Sequence, residues 1–361
     1  MRTLLVTNDF PPRPGGIQQF VHNLAIRLPG LVVYSSTWRD PRAFDAAQPF
    51  EVVREKTGVL LPTPRVARKA QEIAKHHACD SVWFGAAAPL GLLAKGLGRR
   101  SVALTHGHEV GWAKLPGARS LLKKIGRDVD VVTYLGEYTR TRLAPIMPRL
   151  ERLAPGVDVD TYHPGVDGAA IRKRHGLDDR PVVVCVSRLV PRKGQDMLIR
   201  AMPAIRRRVP DARLLIVGGG PDRKRLEKLA GDDVIFTGSV PWEELPAHYR
   251  AGDVFAMPCR TRNGGLDVEG LGIVFLEASA VGLPVVGGDS GGAPDAVQEG
   301  VSGWTVGGRD VPAIADRVAT LLADRDLARR MGAAGRSWVE KEWRWETQAE
   351  RLTTLLRPGS R

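Results

Sequence analysis

The chain of 361 residues, 39.3 kDa in mass, is long enough for two ordinary cores and therefore favours two domains. Its 43% hydrophobic and 26% charged residues exclude a disordered protein, a disulfide miniprotein and a coiled coil. The formal net charge is +13, and residues 1–165 carry most of it: 23 Lys and Arg against 14 Asp and Glu give +9 there. A basic half suits nucleic acid, an anionic membrane surface, an anionic substrate or solubility alone.

The cysteines and the longest apolar stretch limit the cellular setting. Cys79, Cys185 and Cys259 are far apart, which supports neither a disulfide framework nor a cysteine zinc site and fits a reducing cytoplasm. The beginning of the chain lacks a secretory apolar segment. The stretch 82–94 is shorter than the roughly 20 residues of a membrane-spanning helix. We therefore expect a cytoplasmic protein with at most peripheral membrane contact.

Short apolar runs alternate with amphipathic stretches along the chain, as in buried parallel strands covered by helices. In the first half these runs predict strands at 4–7, 31–36, 81–85, 101–105, 129–135 and 152–155. In the second half they predict strands at 181–187, 212–218, 234–238, 253–258 and 283–288. The fold class is therefore α/β, with two doubly wound parallel-sheet domains.

The segment between the two strand sets, 163–181, is rich in Gly, Pro and charge and is typical of a linker. We place the boundary near residue 166, which gives domains at 1–165 and 166–344. A final helix over about 345–361 can pack back on the N-terminal domain. Its apolar residues at helical spacing are Trp345, Ala349, Leu352 and Leu356.

Ligands of open α/β sheets bind outside the carboxyl ends of the strands, so the loops after strands are the candidate sites. In the first of these loops, Gly15-Gly16 immediately precedes a helix-like stretch. The glycine pair either lets backbone N–H groups approach a phosphate or only forms a tight turn. After the strand at 101–105, His106, His108 and Glu109 form a polar cluster suited to hydrogen-bonding a substrate. A metal site is not supported there, because no HExxH motif or distant third ligand accompanies the pair.

Two cations follow the first strand of the second half. Arg188 offers a planar fork and Lys193 a point charge near a helix start, which together suit a diphosphate. Two solvated surface cations would produce the same pattern. A dinucleotide fingerprint is not supported after the next strand, because GGGPDR departs from GxGxxG.

The segment EGLGIVFLE contains the strongest local signal. Glu269 and Glu277 are eight residues apart, and a helix begins near Ile273 between them. The first backbone N–H groups of such a helix, from 272 to 274, are donors available to a phosphate. Glu277 is then suited to a ribose diol and Glu269 to the reacting group. A hydrolase acid–base pair is the alternative, but it leaves the two cations unexplained.

Five motifs in this order resemble the family-four glycosyltransferases of the GT-B fold, over essentially the whole chain. They are the Gly15-Gly16 loop, HGHE, APGVD, SRLVPRKG and EGLGIVFLE. Within that family the strings NDFPPRPGGIQ, GSVPWEELP and RNGGLDVEGLGIVFLEASA are most similar to actinobacterial phosphatidylinositol monomannoside α-(1-6)-mannosyltransferases, which use GDP-mannose. One departure is Pro155, where the family often has Asn; it leaves the donor residues untouched.

The resemblance implies two Rossmann-like domains facing a cleft, with the sugar nucleotide held mainly by the C-terminal domain and the acceptor mainly by the N-terminal one. The catalytic residues that it implies are His106, Arg188, Lys193 and Glu269. The donor-binding residues that it implies are Gly16, Arg188, Lys193, Val240, Gly272, Ile273, Val274 and Glu277. The loop 257–260 is a further expected contact of the base.

The resemblance also implies hexosyl transfer with retention, without a metal or other cofactor, to a phosphatidylinositol mannoside. A front-face displacement fits, because no protein nucleophile stands out. The segment 115–127 mixes Leu and Ile with Lys and Arg and predicts peripheral binding to the anionic inner face of the plasma membrane, although a core-facing helix has the same pattern. The alternative is a relative with another sugar nucleotide and a soluble acceptor. Nucleic acid is disfavoured, because no recognition motif is present.

Overall fold

A computed structural model describes residues 1–359. The chain forms two compact units: unit 1 contains residues 1–156 and the segment that starts at Trp345, and unit 2 is Val157–Arg344. The division falls before the residue 166 expected from composition. The segment 163–181 contains a short helix in unit 2, in which Ile171 is buried.

Parallel strands form one sheet in each unit. Unit 1 has seven strands in the order β3-β2-β1-β4-β5-β6-β7, and unit 2 has six in the order β10-β9-β8-β11-β12-β13. The strands are β1 (Thr3–Thr7), β2 (Leu31–Ser36), β3 (Glu51–Glu55), β4 (Ser81–Phe84), β5 (Arg100–Leu104), β6 (Val131–Tyr134), β7 (Leu150–Arg152), β8 (Val182–Val186), β9 (Arg213–Val217), β10 (Val234–Gly238), β11 (Val254–Met257), β12 (Val285–Gly288) and β13 (Gly303–Val306).

Helices connect the strands and cover the sheets. They are α1 (Gly16–Ala25), α2 (Arg42–Ala46), α3 (Pro64–His76), α4 (Ala94–Leu97), α5 (Glu109–Trp112), α6 (Pro116–Asp128), α7 (Glu137–Leu143), α8 (Ala169–Arg174), α9 (Gln195–Arg208), α10 (Arg223–Glu227), α11 (Leu245–Arg250), α12 (Ile273–Ala280), α13 (Val311–Ala323), α14 (Arg325–Glu342) and α15 (Trp345–Leu356). Within residues 1–359, no helix combines the length and apolarity needed to cross a membrane.

The core of unit 1 has two layers, because side chains of a strand alternate between the faces of the sheet. On one face the strands pack against α3, α4 and α6, and on the other against α1 and α15. The apolar stripe of α15 is buried in the second layer. Its members are Trp345, Ala349, Leu352 and Leu356.

Two edge strands, β3 and β13, are missing from the predicted set, and β7 begins two residues before its predicted position at 152. The sequence of β3, EVVRE, carries charge at both ends and lies at the sheet edge, where its residues are partly exposed. The β13 sequence GWTV is short and begins with Gly. Neither has the continuous apolar run that marks a buried central strand.

The helices of unit 2 differ in how their N-termini are capped. Asp310 and Asp324 cap α13 and α14 through their side chains, accepting from backbone N–H groups at 3.0 and 2.8 Å. The helices α9 and α12 begin instead after Gly194 and Gly272, both at positive φ and without a side-chain cap. A Cβ at residue 194 would lie 2.0 Å from the Pro258 carbonyl oxygen, so this position requires glycine.

Candidate active site

The N-terminus of α12 presents uncapped backbone donors. Gly272 adopts a left-handed conformation with φ of 77°, and no side chain caps the helix. Among residues 1–359, no acceptor pairs with the N–H groups of Gly272, Ile273 and Val274. These donors and the helix dipole favour an anion at this position.

A carboxylate holds two cations beside the loop that leads into α12. The Lys193 Nζ lies 2.8 Å from Glu269 Oε2, and Arg192 Nη1 donates to the same oxygen. The Arg192 Nε also pairs with Asp267 Oδ1 at 2.9 Å. The backbone of Glu269 is fixed in turn, because its N–H donates to Ser290 Oγ at 3.1 Å. The sequence predicted Lys193 with Arg188 at a diphosphate and Glu269 at the reacting group; the structure joins Lys193 to Glu269. Arg192 was not predicted, although it stands beside Lys193 in the PRKG string.

The other predicted cation, Arg188, is exposed in the loop after β8. Its guanidinium makes no hydrogen bond or ion pair within the part of the chain that the structure describes. The carbonyl of Arg188 accepts a hydrogen bond from Gln195 Nε2 at 3.1 Å, which ties this loop to α9. The structure therefore holds the backbone of Arg188 while its side chain stays unpaired.

The loop predicted to contact a base is held by a buried ion pair. Arg260 donates from Nη1 and Nη2 to the two oxygens of Asp196 at 2.8 and 3.0 Å, and both side chains are buried. A bidentate pair fixes the loop 257–260 against the first turn of α9. The remaining predicted base contact, Val240, is partly buried after β10.

Glu277 lies inside α12 with only 5% of its surface exposed. Tyr249 donates its hydroxyl to Glu277 Oε2 at 2.6 Å. Burial raises the pKa of Glu277 to about 7, and the Tyr249 hydrogen bond opposes that rise. Nothing in the sequence distinguished Tyr249 from a core tyrosine, so this contact was missed.

In unit 1, His106 follows β5 and is anchored through its ring. Its Nε2 lies 2.7 Å from the Gly85 carbonyl oxygen, which can only accept, so Nε2 carries the hydrogen and Nδ1 is an acceptor. Burial lowers the pKa of His106 and favours this neutral form. The buried Glu109 accepts at 3.0 Å from the backbone N–H groups of His106 and Gly107, which fixes the loop.

Gly16 is the first residue of α1, in the loop after β1. A Cβ at this position would have no atom within 4 Å, so the space beside its backbone is open. The ring of Phe20 on α1 contacts the His106 ring edge to face, with centroids 5.9 Å apart. The fold thus brings the two predicted sites of unit 1 onto adjoining segments. Their roles stay predictions.

Metal-ligating side chains do not converge in the described part of the chain. Within residues 1–359, no group of three or more His, Cys, Asp or Glu side chains is placed to hold a metal ion. His108 stacks on His106 at 6.1 Å between centroids and lies 3.5 Å from Glu109, a pair rather than a three-ligand set.

Two family models match the chain. Glycosyltransferase Family 4 matches residues 14–161, and Glycosyl transferases group 1 matches residues 167–338. Solved structures with the same architecture include an Anabaena protein, HepE, in complex with UDP, with a TM-score of 0.80 at 19% identity over 98% of both chains. Sucrose-phosphate synthase from Thermosynechococcus elongatus has a TM-score of 0.77 at 21% identity, again over 98% of both chains. These likenesses support the fold alone.

Curated relatives match over nearly their full length. The GDP-mannose-dependent α-(1-6)-phosphatidylinositol monomannoside mannosyltransferase of Mycolicibacterium smegmatis is 54% identical over 98% of this chain and 97% of its own. A Corynebacterium glutamicum mannosyltransferase named for the monoacylated form of that acceptor is 48% identical over 100% and 99%. The predicted α/β fold and the resemblance are confirmed, and the chain belongs to the family-four glycosyltransferases of the GT-B fold.

Proposed function

We propose that this chain transfers mannose from GDP-mannose to a phosphatidylinositol mannoside in glycolipid synthesis. The observation that carries the proposal is the 48–54% identity to enzymes named for that donor and acceptor, extending over nearly the whole of both chains. The arrangement of unit 2 supplies the chemistry that a nucleoside diphosphate requires.

The diphosphate is assigned to the N-terminus of α12 and to Lys193 and Arg188. The uncapped N–H groups from 272 to 274 and the Lys193 ammonium, fixed by Glu269, are preorganised donors for the charge that develops on the leaving phosphate. We propose that Lys193, Arg188 and the helix donors perform the role that Mg²⁺ has in other enzymes, so that transfer requires no metal. Dialysis against a chelator should leave the rate unchanged.

The ribose is assigned to Glu277, whose Oε1 has no hydrogen-bond partner among the described residues. The hexose is assigned to His106, whose neutral ring can accept a hydroxyl proton at Nδ1. We propose retention by front-face displacement, in which the leaving phosphate oxygen takes the proton of the acceptor hydroxyl. A trapped covalent glycosyl-enzyme intermediate would contradict this mechanism, and NMR of the product anomer tests retention.

We propose that the chain reaches its lipid acceptor by binding peripherally, through α6, to the anionic inner face of the plasma membrane. Leu122 and Ile125 of this helix are buried in unit 1, whereas Leu121 is 51% exposed beside the exposed Lys123 and Lys124. Leu115, just before the helix, is 59% exposed. Apolar groups flanked by cations are suited to the interface of an anionic bilayer.

A thermal-shift panel of GDP, UDP and ADP tests the donor assignment, because a ligand that binds only the folded state raises its stability. We expect GDP to raise the Tm, and Lys193→Ala to reduce that rise while Lys228→Ala, an exposed lysine of the same unit, retains it. Stabilisation by UDP or ADP and not by GDP would reject GDP-mannose and favour a relative that uses another sugar nucleotide.

A further inference from the structure

Two buried tyrosines lie beside Glu277, and only one of them is bonded to it. Tyr249 on α11 is fully buried, and its hydroxyl is 2.6 Å from Glu277 Oε2. Tyr162, in the segment between β7 and α8, is 2% exposed and packs edge to face on the Tyr249 ring at 5.9 Å. The Tyr162 hydroxyl is buried without a hydrogen-bond partner.

The guanidinium groups nearest in the fold to Glu277 bind backbone carbonyls and not its carboxylate: Arg336 Nη1 donates to the carbonyl oxygens of Tyr162 and Ala280 at 2.6 and 2.9 Å, and Arg250 Nη1 to that of Val281 at 3.5 Å. Tyr249 from α11 donates directly to the Glu277 carboxylate. Burial raises the pKa of the Tyr162 phenol, and the nearby Glu277 charge raises it further. Two further titratable groups lie near the tyrosines. Cys185 of β8 contributes to the raised pKa of Tyr249, and Asp158 contributes to that of Tyr162. Among the residues that the structure describes, no ammonium or guanidinium pairs with the carboxylate. Within residues 1–359, the Tyr249 hydroxyl is therefore the one side-chain donor bonded to the carboxylate.

We propose that Tyr249 is a positioning residue for donor binding: its hydroxyl fixes Glu277 Oε2 and presents Oε1 to the ribose hydroxyls. The proposal rests on the proposed function, because it takes the ligand to be a nucleoside diphosphate. Tyr249 acts only through Glu277.

The physical reason is the balance between burial and one strong hydrogen bond. Burial favours the protonated carboxyl, and a phenol donating at short distance favours the carboxylate. With the hydrogen bond in place the pKa of Glu277 is about 7, so both forms are present at neutral pH. Without the hydroxyl the carboxyl is mainly protonated at that pH, and no partner fixes its rotamer. A protonated carboxyl offers the diol a weaker acceptor than a carboxylate does.

The two tyrosines provide a matched pair of variants. Tyr249→Phe and Tyr162→Phe each remove one buried oxygen atom and keep the ring that packs in the core. Since only the Tyr249 oxygen is bonded to Glu277, only that variant should change the carboxyl group. Thermal melts of both variants verify that the fold is retained.

The direct experiment is a ¹³C NMR pH titration of the full chain labelled at glutamate carboxyl groups, with Glu277→Gln to assign the resonance. We expect the Glu277 midpoint to rise by about one pH unit in Tyr249→Phe, the scale of one hydrogen bond to a charged group, and to stay unchanged in Tyr162→Phe. Equal midpoints in the wild type and Tyr249→Phe would overturn the proposal.

The functional experiment is GDP affinity measured by calorimetry at several pH values. We expect Tyr249→Phe to bind GDP about fivefold more weakly at pH 7 and to recover nearly wild-type affinity at pH 8.5, where its carboxyl is ionised. A loss of equal size at every pH would show a merely structural role and overturn the proposal. A wild-type chain that does not bind GDP would defeat the proposed function, and the NMR titration would still decide the role of Tyr249.

Discussion

The two units place different chemistry in the loops that follow their strands. Unit 2 contains charged groups in fixed pairs, such as Lys193 with Glu269, together with the uncapped donors of α12. Unit 1 contains an open glycine backbone at Gly16 and a neutral histidine at His106. The charged pairs and the uncapped helix donors thus lie in unit 2, whereas the fixed neutral imidazole lies in unit 1.

In the proposed function, this difference matches two parts of one sugar nucleotide, the diphosphate and the hexose. A diphosphate requires cations and N–H groups whose positions are set before the ligand arrives, since reorganising them would cost binding energy. A sugar hydroxyl requires a well-oriented acceptor, and we propose His106 for this role, because the Gly85 carbonyl fixes its ring with Nδ1 as the neutral acceptor. Each variant below changes one residue of unit 1 or unit 2 and tests the role proposed for it.

The largest effect is expected for the buried charge of unit 2. The folded-state pKa of Glu277 is about 7, above its ordinary value of 4.5, so the folded chain binds more protons than the unfolded chain between these values. Its contribution to stability is complete below the ordinary value and is lost as pH rises toward the folded value. Relative to Glu277→Gln, the wild type should lose about 2 to 3 kcal/mol of unfolding free energy between pH 5 and pH 8.

Denaturant unfolding of both chains at matched pH measures this difference. A parallel pH dependence in the two chains would mean that Glu277 titrates normally. That result would contradict the raised pKa of Glu277 as a feature of unit 2.

The next effect concerns the fixed cation. Lys193→Ala should lower kcat/KM by about tenfold to 100-fold, because a preorganised donor to the developing phosphate charge is lost. Steady-state transfer kinetics measure it, with Lys228→Ala as the exposed-lysine control. Rates near those of the wild type would refute the assigned role of Lys193.

The corresponding test in unit 1 is His106→Ala. We expect transfer to fall by about tenfold, the order of one lost hydrogen bond to a reacting sugar, with GDP affinity unchanged. Calorimetry with GDP and kinetics with the sugar donor separate the two quantities. A loss of GDP affinity as large as the loss of transfer would contradict the assignment of His106 to the hexose.

The smallest effect is expected on the surface of α6. Lys123→Ala should weaken sedimentation with vesicles that contain phosphatidylinositol by about threefold to fivefold, since one basic residue near an anionic surface contributes about 1 kcal/mol. Binding should also fall with added salt, and Lys228→Ala should behave as the wild type. No preference for anionic over neutral vesicles would reject the membrane contact and leave the transferase assignment standing.

The sequence predicted the central strands because their continuous apolar runs reflect burial on both faces. It missed β3 and β13, because an edge strand such as EVVRE mixes charge with apolar residues. The start of α12 and the apolar stripe of α15 were predicted from spacing and are present.

The candidate site was predictable where a motif contained the chemistry, and not where a partner came from elsewhere in the chain. Lys193 and Glu269 belong to recognisable strings and meet in the structure. The Tyr249 contact with Glu277 joins residues 28 positions apart and leaves no local signal. Arg192 was not predicted, because its partners Asp267 and Glu269 come from a distant loop and its own string resembles a solvated basic turn.

Transfer by the purified full chain tests the account most directly. The chain is incubated with radiolabelled GDP-mannose and phosphatidylinositol monomannoside vesicles, and the lipid is extracted and analysed by mass spectrometry. The account predicts label in the lipid fraction and a product that is heavier by one hexose, formed with GDP-mannose and not with UDP- or ADP-sugars. Transfer from another sugar nucleotide with none from GDP-mannose would contradict it.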